Sequence, residues 1–262
     1  MRLAVAATAP IGADVLERLA ATHDVAYLLT RPDAPQGRGR RVGAPPAKEA
    51  AVRLGITVHQ PEKPALPEPV DVVVVAAYGL YIPPRLLEQA LWLNVHPSLL
   101  PRWRGAAPVE RAILAGDEET GVTIHRTVAE LDAGPIAAEE RWTIRDDDAG
   151  ATFARAAEAA ARLIAGVLPE PEFEPQAEEG ATYAEKITPT DRELDLADPV
   201  DSWRRVRALS PHIGARCSIE GRRVVVWEAR LEDGAFVPLV VQPEGRRRMT
   251  YDELRAKIQG LH

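Results

Sequence analysis

The sequence predicts an α/β fold, with a mostly parallel sheet formed by the first 167 residues and a small β-rich domain after it. Three observations carry this. Short apolar runs alternate with helical patterns through Val167. Val70 to Ala76 is a valine-dominated run without polar alternation, as expected for a strand buried on both faces of a parallel sheet. From Asp191 onward the pattern changes to short strands broken by Gly221 and Gly234.

Taken in order, Leu3–Ala7 reads as a short apolar strand and Gly12–Thr22 as a helix with Val15, Leu16 and Leu19 on one face. Val25–Leu29 is a second strand, Ala47–Leu54 a helix, and Thr57-Val58 a short extended piece. After Val70–Ala76, Pro83-Pro84 opens a helix, because proline is tolerated in the first turn. Leu91–Val95 is the next strand and Ala107–Ala115 the next helix. Val122–Val128 and Ile136–Ile144 follow as two strands in succession, which predicts an antiparallel edge on an otherwise parallel sheet. Ala149–Val167 is a long alanine-rich helix. Three prolines alternate with acidic residues between Pro169 and Pro175, so residues 168–188 are expected to be a linker. The remainder, 189–262, reads as a helix near Val200–Leu209, strands at Ala215–Ile219, Arg223–Ala229 and Phe236–Val241, and a closing helix Tyr251–Ile258.

The composition is that of an ordinary soluble protein, 46% apolar and 27% charged over 262 residues. A single cysteine, Cys217, excludes an intrachain disulfide and points to a reducing compartment. The apolar runs are too short for a signal peptide or a bilayer span, so a cytoplasmic protein with no membrane partner, and a monomer, is expected. The net charge of −7 gives no global attraction for nucleic acid. The basic residues are uneven, however. Arg31, Arg38, Arg40 and Arg41 crowd one glycine-rich segment, and Arg246, Arg247 and Arg248 form a second cluster. A local patch of this kind can contact phosphates, although a solvated arginine-rich surface has the same composition.

The segment from Asn94 to Gly105 carries the chemistry. Asn94 and His96 sit at the carboxyl end of a predicted strand, where ligands bind in open α/β sheets. Two apart in an extended segment, they project to the same face. An amide N–H and an imidazolium N–H aimed at one spot can bind a developing oxyanion. Asp132, in a glycine-flanked turn 38 positions beyond Asn94, can orient the imidazole or relay a proton. No obvious nucleophile accompanies them, which points to acyl-type transfer between two substrates. Alone, an Asn-x-His at a strand end reads first as an Asn that starts a turn and a His that caps the edge. No metal is expected, since His23, His59, His96 and His125 show no metal-ligand spacing and His212 and His262 are isolated.

In its wider context, Leu93 to Pro135 resembles the signature of the folate-dependent formyltransferases. The match runs through Ser98-Leu99-Leu100-Pro101-Arg102-Trp103-Arg104-Gly105-Ala106-Ala107-Pro108, Ala115-Gly116-Asp117-Glu118-Glu119-Thr120-Gly121-Val122-Thr123-Ile124 and Leu131-Asp132-Ala133-Gly134. The resemblance implies a Rossmann-like catalytic domain over 1–167, with 10-formyltetrahydrofolate as formyl donor and Asn94, His96 and Asp132 as the catalytic trio. It implies protonated His96 beside Asn94 at the oxyanion, with Asp132 moving the amine proton. It places the folate at Gly79, Leu80, Tyr81, Ile82 and Pro83, at Ser98, Leu99, Leu100 and Pro101, and at Val128, Glu130 and Leu131. Gly79 after a buried strand permits close backbone approach.

Arg31 to Arg41 resembles the inserted loop by which tRNA-acting members of the family reach the acceptor arm. The resemblance makes Arg38 the central contact, supported by Arg40 and Arg41, and implies methionyl-initiator tRNA as the acceptor, in translation initiation. The C-terminal part resembles the OB-like second domain of those members at Tyr183–Ile187, Ala208–Pro211 and Val241–Met249, where Arg246, Arg247 and Arg248 lie. Two departures stand out. Ala6-Ala7-Thr8-Ala9-Pro10 differs from the family's glycine-threonine-proline form, and a block of strands is missing between Leu231 and Phe236, which implies a shortened domain with fewer phosphate contacts. Two other readings share these residues: a sugar-nucleotide N-formyltransferase, and a non-enzymatic RNA-binding protein.

Overall fold

In the computed structural model, which describes residues 1–36 and 41–260, the chain divides into two compact units, each discontinuous in sequence. The first comprises Met1–Arg104, Gly121–Arg141 and Phe153–Tyr183. Its elements begin with β1 (Leu3–Ala7), α1 (Pro10–Ala20), β2 (Val25–Leu29), β3 (Ala34–Gln36), β4 (Arg41–Gly43), α2 (Pro46–Leu54) and β5 (Thr57–His59). They continue with β6 (Val72–Ala76), α3 (Pro84–Leu87), β7 (Leu91–His96) and the two-residue β8 (Arg104–Gly105). After α4 (Pro108–Ala115) come β9 (Glu119–Arg126), β10 (Ile136–Thr143), α5 (Ala149–Val167) and β11 (Tyr183–Ala184).

The central sheet has the order β10-β9-β7-β6-β1-β2-β5. β1 pairs in parallel with β2 and β6, β6 with β7, and β2 with β5. β9 joins β7 antiparallel, as the two successive strands predicted. Every residue of β1 and β6 is buried, which explains why both read as continuous apolar runs. The chain leaves β1 toward β2 and β5, then returns to β6 on the opposite side. That reversal between β1 and β6 is the topological switch point, where such sheets leave a crevice.

Local chemistry fixes the rim of this crevice. Helix α1 begins at Pro10, earlier than the apolar periodicity indicates, since proline fits the first helical position. Gly12 follows because a Cβ there would stand 2.4 Å from the Ala76 carbonyl oxygen. Thr8 Oγ1 donates to the Tyr78 carbonyl at 2.8 Å and so ties the β1 exit to the turn after β6. Beneath the rim, Tyr27, Tyr78, Trp92, Leu29 and Val73 share one apolar cluster. The Trp92 indole N–H in that cluster finds the Leu86 carbonyl at 2.8 Å.

Residues 168–188, expected as a linker, group with the first unit as far as Tyr183. Glu174 exchanges both backbone hydrogen bonds with Ile136, at 2.7 and 2.9 Å.

The second unit comprises Gly105–Thr120, Trp142–Thr152 and Ala184–His262. It holds α4, α6 (Pro199–Leu209), β12 (Ala215–Ile219), β13 (Arg222–Glu232), β14 (Ala235–Pro243), β15 (Met249–Thr250) and α7 (Tyr251–Ile258). The four strands pair in the order β12-β13-β14-β15, antiparallel throughout. Asp198 caps α6 by accepting from Asp201 N at 3.0 Å, and Thr250 caps α7 through Glu253 N. Between Leu231 and Phe236, Asp233-Gly234 closes a two-residue hairpin with both φ values positive, 50° and 79°. Asp-Gly is favoured in such turns, and the pairing runs out to Glu232 and Ala235, beyond the strands read from hydrophobicity.

Candidate active site

β7 ends at the crevice and presents Asn94 and His96 on one face, as their spacing predicts. The antiparallel register sets Asn94 opposite His125 and His96 opposite Thr123. Asp132 arrives from the turn between β9 and β10 and inserts its carboxylate between the two β7 side chains. Asn94 Nδ2 donates to Asp132 Oδ1 at 3.2 Å, and His96 Nδ1 stands 3.6 Å from Asp132 Oδ2. His96 and His125 are buried, and the Asp132 side chain is 11% exposed. The sequence-predicted trio is thus gathered at one point.

The hydrogen-bond partners set the proton positions. The Trp103 carbonyl lies 2.8 Å from His96 Nε2 and can only accept, so Nε2 carries the proton and Nδ1 faces Asp132. By the same logic His125 Nδ1–H points at the Arg126 carbonyl at 3.1 Å, and its Nε2 accepts from Asn94 Nδ2 at 3.0 Å. Both amide hydrogens of Asn94 are therefore engaged, one by an imidazole and one by a carboxylate.

Burial is the largest influence on His96 and pushes its pKa below the ordinary value. The Asp132 charge and the Trp103 carbonyl oppose that shift, and His125 adds to it. The imidazole expected to rest protonated is therefore held toward its neutral form, with Nδ1 able to take a proton. Once charged, it lies between a carboxylate and a carbonyl that both favour the cation.

Two rigid turns hold the site. Thr123, fully buried, donates its hydroxyl to the Ser98 carbonyl at 2.7 Å and accepts from Leu100 N at 3.2 Å. Ser98 Oγ donates to the Arg102 carbonyl at 2.7 Å. Ser98 and Leu100 are thereby spent on the turn that brings the Trp103 carbonyl to His96, while Leu99 and Pro101 are half-buried. Asp132 has φ 49°, in the left-handed region that few residues other than glycine adopt. Gly134 is required beside it, because a Cβ there would lie 1.7 Å from the Arg126 carbonyl oxygen.

Of the expected folate segments, Gly79–Pro83 and Ser98–Pro101 follow the carboxyl ends of β6 and β7, and Val128–Leu131 lies in the turn between β9 and β10. The turn after β6 has positive φ at Ala77 and Gly79, 48° and 74°. Gly79 is exposed, Leu80 and Pro83 are half-buried, and Ile82 packs into the core. Tyr81 and Leu131 leave large apolar side chains 68% and 64% exposed. Val128 is half-buried and Glu130 exposed.

This site lies within residues 1–168, which match the formyl transferase family, and residues 186–238 match that family's C-terminal domain. The chain belongs to the formyl transferase family. A methionyl-tRNA formyltransferase of Paracoccus denitrificans (strain Pd 1222) is 43% identical over 254 residues, covering 91% of this chain and 85% of the relative. Among solved structures, a HypX variant from Aquifex aeolicus superposes with a TM-score of 0.70 at 17% identity. The superposition covers 99% of this chain, which spans 47% of HypX. A methionyl-tRNA formyltransferase from Clostridium thermocellum gives 0.65 at 15% identity, covering 93% and 98% of the two chains. At these identities the superpositions speak for the fold.

The expected trio is joined here by His125, which sequence reasoning left out of the site. Its signal was the alternation Thr123, His125 on the strand next to Asn94 and His96. His96, His125 and Asp132 also bring one potential ligand atom each within 4.8 Å of one another, despite their separation in sequence. A divalent cation bound here would displace the Asn94 amide from His125 and Asp132.

The arginines divide differently. Arg38 and Arg40 lie outside the described residues, and Arg41 is exposed on β4, paired through its backbone with Gln36. Arg246 and Arg247 are exposed in the turn between β14 and β15. Arg248 instead lies over the Trp227 ring, 3.6 Å from its centroid, and donates to the Pro211 carbonyl at 3.2 Å. No helix among the described residues is long and apolar enough to cross a membrane.

Proposed function

We propose that this formyl transferase moves the formyl group of 10-formyltetrahydrofolate to the α-amino group of methionyl-initiator tRNA, in the cytoplasm. The chemistry rests on one observation, the gathering of Asn94, His96 and Asp132 at the carboxyl end of β7. The acceptor is inferred from the methionyl-tRNA formyltransferases that resemble the chain along most of its length. The exposed positive-φ turn at Gly79, followed by the exposed Tyr81, fits a flat ring system that needs backbone hydrogen bonds and an apolar wall, to which the exposed Leu131 would add. Leu80, Ile82, Pro83, Ser98, Leu99, Leu100, Pro101, Val128 and Glu130 complete that surface.

On this reading the bound folate supplies an activated formyl carbon, and the protein supplies proton transfer and charge stabilisation. Neutral His96 takes the proton of the attacking amine at Nδ1 as the new C–N bond forms. The imidazolium is then held by Asp132 and the Trp103 carbonyl. The oxyanion developing on the formyl oxygen takes over the Asn94 N–H that Asp132 Oδ1 accepts at rest, the longer of the two amide bonds. When the bond to N10 breaks, the proton on His96 returns to that nitrogen. Arg38, Arg40, Arg41, Arg246 and Arg247 provide phosphate contacts for the tRNA, and Arg248 supports the turn that presents its neighbours.

The test is formyl transfer from 10-formyltetrahydrofolate to methionyl-initiator tRNA, run beside uncharged tRNA and a panel of amino-sugar nucleotides. Formyl-methionyl-tRNA as the sole product is expected. Turnover of a sugar nucleotide alone would keep the trio and overturn the acceptor.

A further inference from the structure

Gln176 lies in the segment expected to be a linker, yet its side-chain amide is fully used inside the first unit. Nε2 donates to the Asp132 carbonyl at 2.8 Å and to the Gly134 carbonyl at 2.6 Å. Oε1 accepts from Arg104 Nε at 3.1 Å and Nη2 at 2.9 Å. Arg104 is itself buried, 4% exposed, with its backbone N–H on the Thr182 carbonyl at 2.8 Å. The antiparallel bridge between Ile136 and Glu174 sets the placement, since two residues further along that register Gln176 falls opposite Gly134.

One amide thus ties down the exit of the turn that carries Asp132, at the Asp132 and Gly134 carbonyls. That turn needs holding. Asp132 is in the left-handed region, which disfavours a residue with a Cβ. Its carboxylate must also stay between Asn94 and His96. The Arg126 carbonyl presses on one side of Gly134, and Gln176 holds the other.

We propose that Gln176, seated by Arg104, is a positioning residue for formyl transfer: it locks the Asp132 turn so that the carboxylate faces His96. This rests on the functional reading above. It also assigns the 172–176 stretch a part in the active site, beyond joining two domains.

The test is Gln176→Glu, which keeps the shape and the acceptor for Arg104 but removes both N–H donors. Two lost hydrogen bonds to the turn, each about 1 kcal/mol, correspond to roughly tenfold or more in local opening. Amide exchange of residues 128–135, read on the full chain without substrate, is expected to rise about tenfold while the 72–76 strand is unchanged. The kcat for methionyl-tRNA is expected to fall about 10- to 100-fold, with KM for both substrates within about twofold. The melting temperature is expected to fall by a few degrees at most, because Arg104 keeps its acceptor while only the two carbonyls lose their donor. Unchanged exchange in 128–135, or kcat within threefold of wild type, overturns the inference. So does a melting temperature low enough for unfolded protein to account for the lost activity. Absence of methionyl-tRNA turnover by wild type would instead defeat the functional reading, and the exchange measurement would still decide whether Gln176 locks the turn.

Discussion

Asn94 and His125 face one another across the antiparallel pair β7–β9, and the amide Nδ2 stands 3.0 Å from the imidazole Nε2. Since His125 Nδ1 is committed to the Arg126 carbonyl, the ring acts toward Asn94 as an acceptor. It fixes which way the amide points, and with that the hydrogen Asn94 offers to Asp132 or to an oxyanion. His125→Leu removes the acceptor and frees the amide to rotate, so kcat should fall about tenfold, consistent with the loss of one oriented donor. His125→Gln restores an acceptor oxygen and should recover most of that loss. Steady-state kinetics of the two variants decide it; equal activities would deny His125 this role.

His96 sets the acid side of the pH profile. Burial holds its pKa below the ordinary 6.5, so the ring is neutral at pH 7 and becomes protonated only as pH falls through the depressed value. If neutral His96 accepts the amine proton, kcat/KM should fall with unit slope once the substrate α-amine protonates, below about pH 7.7, and steepen to a slope of two below the depressed His96 value. A slope that stays at one into the acid range would mean that the charged form is the active one. Asn94→Ala and His96→Ala should each lower kcat by about 10²- to 10³-fold.

Much of this was legible in the sequence, for identifiable reasons. Leu3–Ala7, Val25–Leu29 and Ala215–Ile219 are the strands with the bounds read from their apolar runs, since turn residues flank them. Asn94 and His96 could be placed on one face because a strand end is local information, but their joint role with Asp132 was legible only through the resemblance of the whole 93–135 segment. His125 and Gln176 could not be placed. Their roles depend on which residue of another segment falls opposite, and register between distant segments is settled by backbone pairing and close packing rather than by composition. Gly134 is one such constraint, visible only once the Arg126 carbonyl is seen against it. The strand expected at Val122–Val128 runs instead over Glu119–Arg126, because its bounds follow pairing with β7 rather than the apolar pattern.

The C-terminal arginines separate affinity from stability. Arg246 and Arg247 are exposed, so alanine at either should weaken tRNA binding alike across sequences. Each loss should reduce the magnitude of the salt slope, log K against log salt, by about 1. Arg248 is exposed as well, but its guanidinium stacks on Trp227, so Arg248→Ala should also lower the melting temperature, the loss of an exposed stacking interaction of about 0.5–1 kcal/mol. Filter-binding titrations at several salt concentrations, with melts of the same variants, would show whether the two effects divide this way. A wild-type salt slope near zero would remove the phosphate-binding role altogether.

Arg111 and Asp191 make a bidentate ion pair within the second unit, and acid should reveal it. Arg111 donates from Nη1 and Nη2 to the two Asp191 oxygens at 2.9 and 3.0 Å, and Thr188 adds its backbone N–H and hydroxyl at 2.7 and 2.8 Å. Burial alone would raise the Asp191 pKa, but these donors overcome it and bring the value from 3.8 to about 2. A carboxylate depressed on folding adds stability that is full above its unfolded pKa and disappears as pH falls through the folded value. The shift corresponds to about 2 kcal/mol at neutral pH. Asp191→Asn should therefore lower the unfolding free energy in urea by about 2 kcal/mol at pH 7. Roughly half of that gap should be gone by pH 3, where the unfolded carboxyl is mostly protonated. A gap that stays constant between pH 7 and pH 3 would locate the loss in packing rather than in the charge. Arg111 also donates to the Glu185 and Lys186 carbonyls at 3.0 Å. Arg111→Ala should accordingly cost more than Asp191→Asn, since it strips the 185–191 segment of its anchor and leaves Asp191 charged without its partner.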